Sequence, residues 1–466
     1  MTNKKVSDVV AESWRRHMDK SALKEIFFRR KASLTPGVDR VNVEAFEKKI
    51  DAVLDVTVRK LHEDKFKLSP YLELLISKGK ASFPRVVVRP TIRDKLVLIA
   101  LKEVLHDSFP AHVPRDLPNQ VVREVLNSLA THGDCEIVRA DIKSFYDSIP
   151  HSRLGKSLAK IAPNPAMLSL LLQSIKVAVV PPFHRKEDLN NLVNRRGIPQ
   201  GLPISNYLAN FYLKNLDQKM KAESLSYHRY VDDIVTIVPI GAGKDSLKSL
   251  SRKLRPLGLS FNDKKTQIIE AQGAFEFLGY QVRDGKARPR QKSVERFIRS
   301  IASFFSMLKQ EKLPRRVRPA TWSDEDFANM FVEELNEKIT GAISGNKQYG
   351  WVFYYNESTD LSVFGQIDAI VKKMARNTDL LTNAQRRMIK STLRAYWESK
   401  HSKTSGYIFN YELIKANWQK AEFLWKKGYF ERQHVVRMSP AKIDLEFSRK
   451  VSIRLMGLDQ DVGVVS

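Results

Sequence analysis

The sequence predicts an α+β fold, and three observations support this class. Apolar and aromatic runs flank an acidic pair between Tyr227 and Val238, as expected for two short strands joined by a tight hairpin. Strand-like and helix-like patterns are mixed from about residue 120 to residue 285. From Ser293 onward the pattern is mostly helical, with apolar residues at steps of three and four.

Length, charge and cysteine usage narrow the class of protein. The 466 residues can bury a full core and suggest several domains. The excess of 79 Lys and Arg over 52 Asp and Glu gives a formal charge of +27, which favours a polyanion such as nucleic acid. A basic surface without this role, or an anionic membrane, is the alternative. The single Cys135 excludes an intramolecular disulfide and a cysteine-based zinc cluster.

Targeting signals are the next feature. No apolar run approaches the roughly 20 residues needed to span a bilayer. The first residues lead into a polar, helix-like segment and lack the apolar core of a signal peptide. We therefore expect a cytoplasmic protein that does not enter a membrane.

The acidic pair is Asp232-Asp233, within Tyr230-Val231-Asp232-Asp233. Adjacent carboxylates repel each other, so a fold that keeps them usually neutralises them with divalent metal. Surface hairpins also use aspartate for turn chemistry alone. The pair therefore indicates a metal site only when other elements of the chain support that interpretation.

Four other elements accompany the pair. Asp141 ends an apolar run and is followed by two aromatic residues, the second of which is Tyr146. A loop rich in Gly and Pro around Gln200-Gly201 allows close approach of backbone to a ligand. The last two elements are Asn262…Lys265-Thr266 and Phe277-Leu278-Gly279-Tyr280. The order and spacing of the five elements make chance a poor explanation.

The set closely resembles the palm of a reverse transcriptase, over about residues 35–280. Upstream, Gly37-Val38-Asp39 and the segment from Arg85 to Lys95 are similar to the fingers of group II intron-like bacterial enzymes. The resemblance implies a right-hand polymerase with fingers, a palm built on an antiparallel sheet and a helical thumb. The implied domains are a helical segment over 1–34 with one basic helix, fingers and palm over 35–285, a thumb over 286–375 and a basic helical C-terminal extension over 376–466.

The resemblance also implies an RNA-directed DNA polymerase that uses two divalent ions, Mg²⁺ or Mn²⁺, in each active site. Such ions, about 3.5–4 Å apart, activate a primer hydroxyl and stabilise the leaving pyrophosphate. Hard oxygen ligands suit these metals better than zinc. Lys265 either protonates the pyrophosphate or steadies the palm. The implied metal ligands are Asp141, Asp232, Asp233 and the backbone carbonyl of Ile142.

Other residues receive binding roles from the same resemblance. Tyr146 is expected to lie against the sugar 2′ carbon and to exclude a 2′-hydroxyl, with ordinary core packing as the alternative. A surface salt bridge is the alternative for each of the two cations in the nucleotide-binding set. That set is Arg85, Lys95, Tyr146, Gln200 and Gly201. The implied primer-grip residues are Phe277, Leu278, Gly279 and Tyr280.

The subgroup is inferred partly by elimination. One Cys argues against the metal-bound nuclease tail of intron maturases, and the Val-Thr-Gly triplet of retron thumbs is absent. The chain most resembles the unassigned and abortive-infection reverse transcriptases of bacterial antiphage defence, some of which copy a partner non-coding RNA. A group II intron or retron enzyme, a catalytically silent RNA-binding relic and an RNA-dependent RNA polymerase are the alternatives.

The expected partners follow from this subgroup. They are a structured non-coding RNA as template, deoxynucleotides and the DNA product, while a homo-oligomer is left open. C-terminal cations interleaved with aromatic residues suit RNA binding, although simple solvation of these helices explains them equally well. The cations are Arg386, Arg387, Lys390, Arg394, Lys400, Lys426 and Lys427, and the aromatic residues are Tyr396, Trp397, Trp418 and Trp425.

Overall fold

A computed structural model describes residues 3–77, 83–114, 116–162, 164–183, 194–313, 316–401 and 406–462. The chain forms two compact units, Met1–Asp116 with Asp134–Ile268, and Leu117–Gly133 with Ile269–Ser466. The four domains predicted from the sequence divide the chain differently and stay a prediction. Among the described helices, none combines the length and the apolar character needed to cross a membrane.

Helices make up much of both units. Those of the described residues are α1 (Asn3–His17), α2 (Lys20–Arg30), α3 (Val43–Glu47), α4 (Ile50–His62), α5 (Ile92–Ser108), α6 (Pro118–His132), α7 (Phe145–Ser148), α8 (His151–Ala159), α9 (Pro165–Lys176), α10 (Ser205–Glu223), α11 (Gly243–Leu254), α12 (Gln291–Lys309), α13 (Asp324–Thr340), α14 (Trp351–Tyr354), α15 (Ser362–Arg376), α16 (Asn383–Arg387), α17 (Thr392–His401), α18 (Asn417–Lys426), α19 (Arg432–Val436) and α20 (Pro440–Val462).

Short strands complete the α+β class that the sequence predicts, and this prediction is confirmed. They are β1 (Tyr71–Ile76), β2 (Arg85–Arg89), β3 (Glu136–Asp141), β4 (Val179–Val180), β5 (Ser226–Tyr230), β6 (Asp233–Val238), β7 (Gln267–Glu270), β8 (Phe275–Phe277), β9 (Tyr280–Arg283), β10 (Lys286–Pro289), β11 (Lys312–Leu313), β12 (Arg316–Val317), β13 (Ala342–Ser344), β14 (Lys347–Tyr349) and β15 (Phe409–Asn410). The largest sheet has the strand order β5-β6-β3-β7.

The N-terminal segment consists of two helices, so the prediction of one basic helix there is wrong. α1 ends at His17, and α2 begins after Asp19, whose side chain accepts a hydrogen bond from the Ala22 amide at 2.7 Å. Aspartate is a favoured N-cap because its carboxylate satisfies an amide that has no partner within the helix. Asp19 lies within the basic segment that was predicted to be one helix, and it starts a second helix there.

The four-stranded sheet lies in the first unit and carries the acidic residues at one end. β3 pairs antiparallel with β6, in a register that sets Asp141 opposite Asp233. β5 pairs antiparallel with β6 and sets Tyr230 opposite Asp233. Residues 234–238 of β6 are all buried, and each of them except Thr236 is apolar. The apolar runs therefore fix the strands, and the polar ends emerge at one edge.

The second unit is built around helices. The apolar stripe of α12 is buried as its spacing predicts, since Val294, Phe297, Ile301, Phe304, Phe305 and Leu308 all lie in the interior. Arg454 on α20 is almost fully buried and forms ion pairs with Glu334 and Glu337 of α13. α6 belongs to this unit, where its Arg123 lies 2.5 Å from Glu357. Charged contacts thus hold the C-terminal helix and α6 to the same body.

Candidate active site

The acidic hairpin has a two-residue loop, Val231-Asp232, between β5 and β6. Val231 has a φ of 56°, in the left-handed region where a β-branched residue is strained. Two-residue hairpins of this kind prefer glycine at the first loop position. The amide of Ile142 donates to the Asp232 carbonyl at 3.0 Å, so the loop is tied to the end of β3. The tip is therefore held in one conformation beside Asp141.

The carboxylates of the tip repel each other. Burial and, second, the charge of Asp141 raise the pKa of Asp232 above its ordinary value. Burial and, second, the charge of Asp232 raise the pKa of Asp233 to about 6. The guanidinium of Arg139 opposes this rise in the pKa of Asp233 from 3.9 Å. The ionised carboxylates of Asp232 and Asp233 are therefore energetically unfavourable here, and a bound cation would remove this unfavourable energy.

Lys265 approaches the same centre from another segment. The Asn262 amide donates to the Asp141 carbonyl at 2.8 Å, and the Lys143 amide donates to the Ser260 carbonyl at 2.9 Å. These bonds bring the following 3₁₀ turn to the end of β3, and Lys265 Nζ lies 2.8 Å from Asp141 Oδ2. Asp141 is almost fully buried, whereas Lys265 is half exposed. The ion pair leaves Lys265 free to withdraw toward solvent.

The donor set suits divalent cations in its chemistry. Asp141, Asp232 and Asp233 offer hard carboxylate oxygens. Their negative charges repel one another, so a cation bound between them would be stabilised. In the described part of the chain, however, no group of three or more His, Cys, Asp or Glu side chains is already arranged as a metal site. A cation would therefore draw the carboxylates together and displace Lys265 from Asp141.

Tyr146 lies close to the acidic tip. Its hydroxyl donates to Asn206 Oδ1 at 2.6 Å, and Asn206 is in the first turn of α10. Burial and, second, the charge of Asp232 raise the pKa of Tyr146 to about 12, so the phenol stays neutral. The charge of Arg85 opposes the rise in the pKa of both Tyr146 and Asp232. The nucleotide-binding roles of Tyr146 and Arg85 stay predictions.

The loop with Gln200 and Gly201 packs against the strand that carries Arg85. The Val88 amide donates to the Gln200 carbonyl at 2.7 Å. Gly201 has a φ of +103°, and a Cβ at that position would lie 2.8 Å from the Val88 carbonyl oxygen. Glycine therefore permits both the left-handed backbone and the close approach to β2. The loop is therefore packed directly against β2.

Replacing Gly201 with alanine is expected to destabilise the first unit and to separate the loop from β2. The left-handed backbone costs about 1–2 kcal/mol for any residue with a Cβ. The clash with Val88 adds a further cost of about 1–3 kcal/mol. Gly241→Ala is the matched control, because Gly241 has a φ of +82° but no atom within 4 Å of its Cβ position.

Thermal unfolding and hydrogen exchange of the Val88 amide measure this difference. Gly201→Ala should lower the unfolding temperature more than Gly241→Ala and should also speed exchange at Val88. Equal effects of the two variants would show that the close approach to β2 has no energetic importance.

Lys95 and the primer-grip residues are the remaining predicted site residues. Lys95 Nζ donates to the Ser33 carbonyl at 3.1 Å, and burial, followed by the charges of Arg89 and Arg30, lowers the pKa of Lys95. The segment Phe277-Leu278-Gly279-Tyr280 belongs to the second unit. It forms the hairpin between β8 and β9, with positive φ at Leu278 and Gly279, and its side chains are buried. The structure therefore leaves their predicted roles as predictions.

Sequence reasoning missed a buried support beneath the hairpin. Arg229 on β5 donates to the Val231 carbonyl at 3.0 Å and forms an ion pair with Asp217 of α10. The Arg229 guanidinium also donates to Asn210 Oδ1 at 2.7 Å. Arg229 lies two residues after the buried Tyr227 and therefore on the same face of β5, and this spacing is the signal that could have identified it. Asn206 carries no such signal.

The basic and aromatic residues of the C-terminal part divide into two groups. Arg386 donates to the carbonyls of Ala375 and Thr378, Lys427 is buried on Glu333, and Tyr396 is buried. These contacts hold the fold together. Trp397 and Trp418 are about half and two-thirds exposed, respectively. Only part of the predicted RNA-binding set is therefore available to a partner.

Comparison with known proteins identifies the domain. Residues 76–282 match the family model described as reverse transcriptase (RNA-dependent DNA polymerase). The chain is 24% identical over 301 residues to Protein YkfC of Escherichia coli K12, covering 54% of this chain and 77% of that protein. It is also 24% identical over 214 residues to the Retron Ec73 reverse transcriptase of Escherichia coli, covering 42% of this chain and 64% of the relative.

A solved structure of telomerase from Candida albicans superimposes with a TM-score of 0.42 and 14% identity, covering 85% of this chain and 68% of that one. The match to the family model contains the whole carboxylate site, including Asp141, Asp232, Asp233 and Lys265. On the strength of this match, residues 76–282 form a domain similar to reverse transcriptases.

Proposed function

We propose that this protein synthesises DNA on a partner non-coding RNA by two-metal nucleotidyl transfer, as part of bacterial antiphage defence. The observation that carries the polymerase mechanism is the convergence of Asp141 with the Asp232-Asp233 tip, beside Tyr146 and Arg85. The defence role is supported by the sequence features that disfavour intron and retron enzymes. The chain covers 64% of the retron enzyme, so its template and partners form part of the proposal.

In the proposed reaction, a primer 3′-hydroxyl attacks the α-phosphorus of a deoxynucleoside triphosphate. A new P–O bond forms, the bond to the β-phosphate breaks and pyrophosphate leaves. Reverse transcriptases use divalent ions, and two Mg²⁺ held by Asp141, Asp232, Asp233 and the Ile142 carbonyl would supply charge neutralisation for both oxygens. The protein's own contribution is to hold these carboxylates in place through the Ile142 and Asn262 amides.

The cationic residues have separate parts in this proposal. Arg85 binds the triphosphate, because it is the fingers cation within electrostatic reach of Asp232. Lys95 would have to leave the Ser33 carbonyl to join it. Lys265 steadies Asp141 until metal binds, and is then free to protonate the pyrophosphate. Gln200 and Gly201 contact the incoming nucleotide and templating base, and the hairpin at 277–280 supports the primer end.

One purification tests the polymerase activity. Nucleic acid that copurifies with the protein is retained, Mg²⁺ is added, and labelled deoxynucleotides or ribonucleotides are supplied. Incorporation of deoxynucleotides that ribonuclease treatment prevents would support an RNA-templated DNA polymerase. Preference for ribonucleotides would favour an RNA polymerase, and bound RNA without any synthesis would favour an RNA-binding relic. Sequencing the bound RNA identifies the template.

Tyr146→Ala is expected to reduce discrimination against ribonucleotides by about tenfold to a hundredfold, the range that one steric contact provides. Tyr146→Phe is the matched variant, because it keeps the ring and removes only the hydrogen bond to Asn206. Steady-state constants for dCTP and CTP measure the ratio. Retained discrimination in both variants would place the sugar gate at another residue.

The defence role is tested in cells. Bacteria that express the protein with its native flanking DNA should resist some phages, and Asp232→Asn/Asp233→Asn should abolish the protection. Equal plaque counts with wild-type protein and empty vector, across a broad phage panel, would refute the antiphage role while leaving the polymerase activity intact.

A further inference from the structure

A groove on the first unit lies outside the residues of the carboxylate site. It has a volume of about 440 Å³ and is lined by one face of α4, together with Phe66 and Arg93. Its apolar strip includes the half-buried Val53 and Val56, the latter 41% exposed. Lysines stand at both ends of this strip. The combination of an apolar floor with cationic ends suits a ligand that carries both apolar rings and negative charge.

The lysines of the groove are Lys48, Lys49 and Lys60, and all three are exposed. Within the described residues, none of these three side chains forms a hydrogen bond or an ion pair. Two acidic residues of α4, Asp51 and Asp55, pair with lysines of α2 at 2.9 and 2.8 Å. The lining of the groove contains four cationic residues and no Asp or Glu, so the groove is positively charged.

The opposite wall of the groove is fixed in position. The Arg93 guanidinium lies 5.0 Å from the centre of the Phe66 ring. Arg93 also forms an ion pair with the fully buried Asp94 and donates to the Lys67 carbonyl at 3.0 Å. A guanidinium that is stacked and hydrogen-bonded in this way presents a flat surface, on which a nucleobase can stack. The site is thus built before any ligand arrives.

We propose that this groove binds a single-stranded segment of RNA, with phosphates on the three lysines and a base against the Val53–Val56 strip. Lys49 and Lys60 are 11 residues apart, which corresponds to about 16 Å along a helix. That length matches roughly five nucleotides of a helical strand. A formal charge of +27 favours a polyanion over a neutral partner. The identity of the ligand as RNA rests on the proposed function, but the positive charge of the groove does not.

Fluorescence anisotropy with a labelled oligouridylate tests the groove at several salt concentrations. The variant Lys48→Gln/Lys49→Gln/Lys60→Gln is expected to bind at least about tenfold more weakly at low salt. The slope of log K against log salt should become shallower by about 2, since each single-strand phosphate contact contributes about 0.7. The matched control Lys156→Gln/Lys160→Gln/Lys219→Gln removes the same charge from exposed lysines elsewhere in the unit and should change affinity less than twofold.

The position of the RNA is tested by photo-crosslinking with 4-thiouridine, and peptides within residues 48–66 should carry the label. Equal loss of binding in both lysine variants, or crosslinks confined to other peptides, would overturn the proposal. Competition by poly-glutamate as effective as that by unlabelled RNA would show a general polyanion site instead. Asp232→Asn/Asp233→Asn protein should bind the probe normally, so failure of the polymerase proposal and failure of the groove proposal are distinguishable.

Discussion

Asp232→Asn/Asp233→Asn is expected to lower the rate of deoxynucleotide incorporation by at least about 10³-fold, or about 4 kcal/mol in activation free energy. The substitution removes two of the three carboxylates of the site and leaves only Asp141, at the end of β3. In the proposed mechanism, divalent ions would then lose the hard oxygen ligands that would hold them beside Asp141. Incorporation of labelled deoxynucleotides on the copurified RNA measures the loss.

The same variant should fold at least as well as the wild type. Burial and repulsion raise the pKa values of both aspartates, so ionised Asp232 and Asp233 destabilise the ligand-free protein. Asparagine removes this repulsion, and the unfolding temperature should stay the same or rise. Asp245→Asn is the control, since Asp245 is exposed on α11 and should affect neither property. Undiminished synthesis by the double variant would refute the assignment of the site.

Arg229→Met is expected to destabilise the first unit by about 3–5 kcal/mol, the usual consequence of removing one partner from a buried ion pair. Arg229 is 6% exposed and Asp217 is 22% exposed. The substitution leaves the Asp217 carboxylate without its guanidinium and the Val231 carbonyl without one of its donors. The hairpin tip would then lose its support from α10, and DNA synthesis should fall along with stability.

Lys253→Met provides a matched comparison for the Arg229 variant. Lys253 pairs with Glu223, which is about half exposed, so its removal should cost at most about 1 kcal/mol. Thermal unfolding of both variants measures the difference. The double variant Arg229→Met/Asp217→Asn should regain part of the lost stability, because it no longer buries an unpaired carboxylate. A similar unfolding temperature for Arg229→Met and Lys253→Met would contradict the proposed support.

Local patterns were sufficient to predict the strands of the acidic hairpin and the buried face of α12. Both depend on the spacing of apolar residues, which each segment carries within itself. The break between the two N-terminal helices is a feature that apolar spacing did not predict. The Asp19 side chain accepts a hydrogen bond from the Ala22 amide and so caps a new helix. A single capping residue within a basic segment is easily overlooked in the sequence.

The sequence by itself determined the class of fold, the order of the acidic residues, the placement of Asp141 at a strand end and that of Asp232-Asp233 at a hairpin tip. Only the tertiary structure decided which side chains meet. The contacts of Tyr146 with Asn206, of Lys265 with Asp141 and of Lys95 with Ser33 each join segments far apart in the chain. Such contacts depend on how separate elements pack, and no periodicity within one segment specifies that packing.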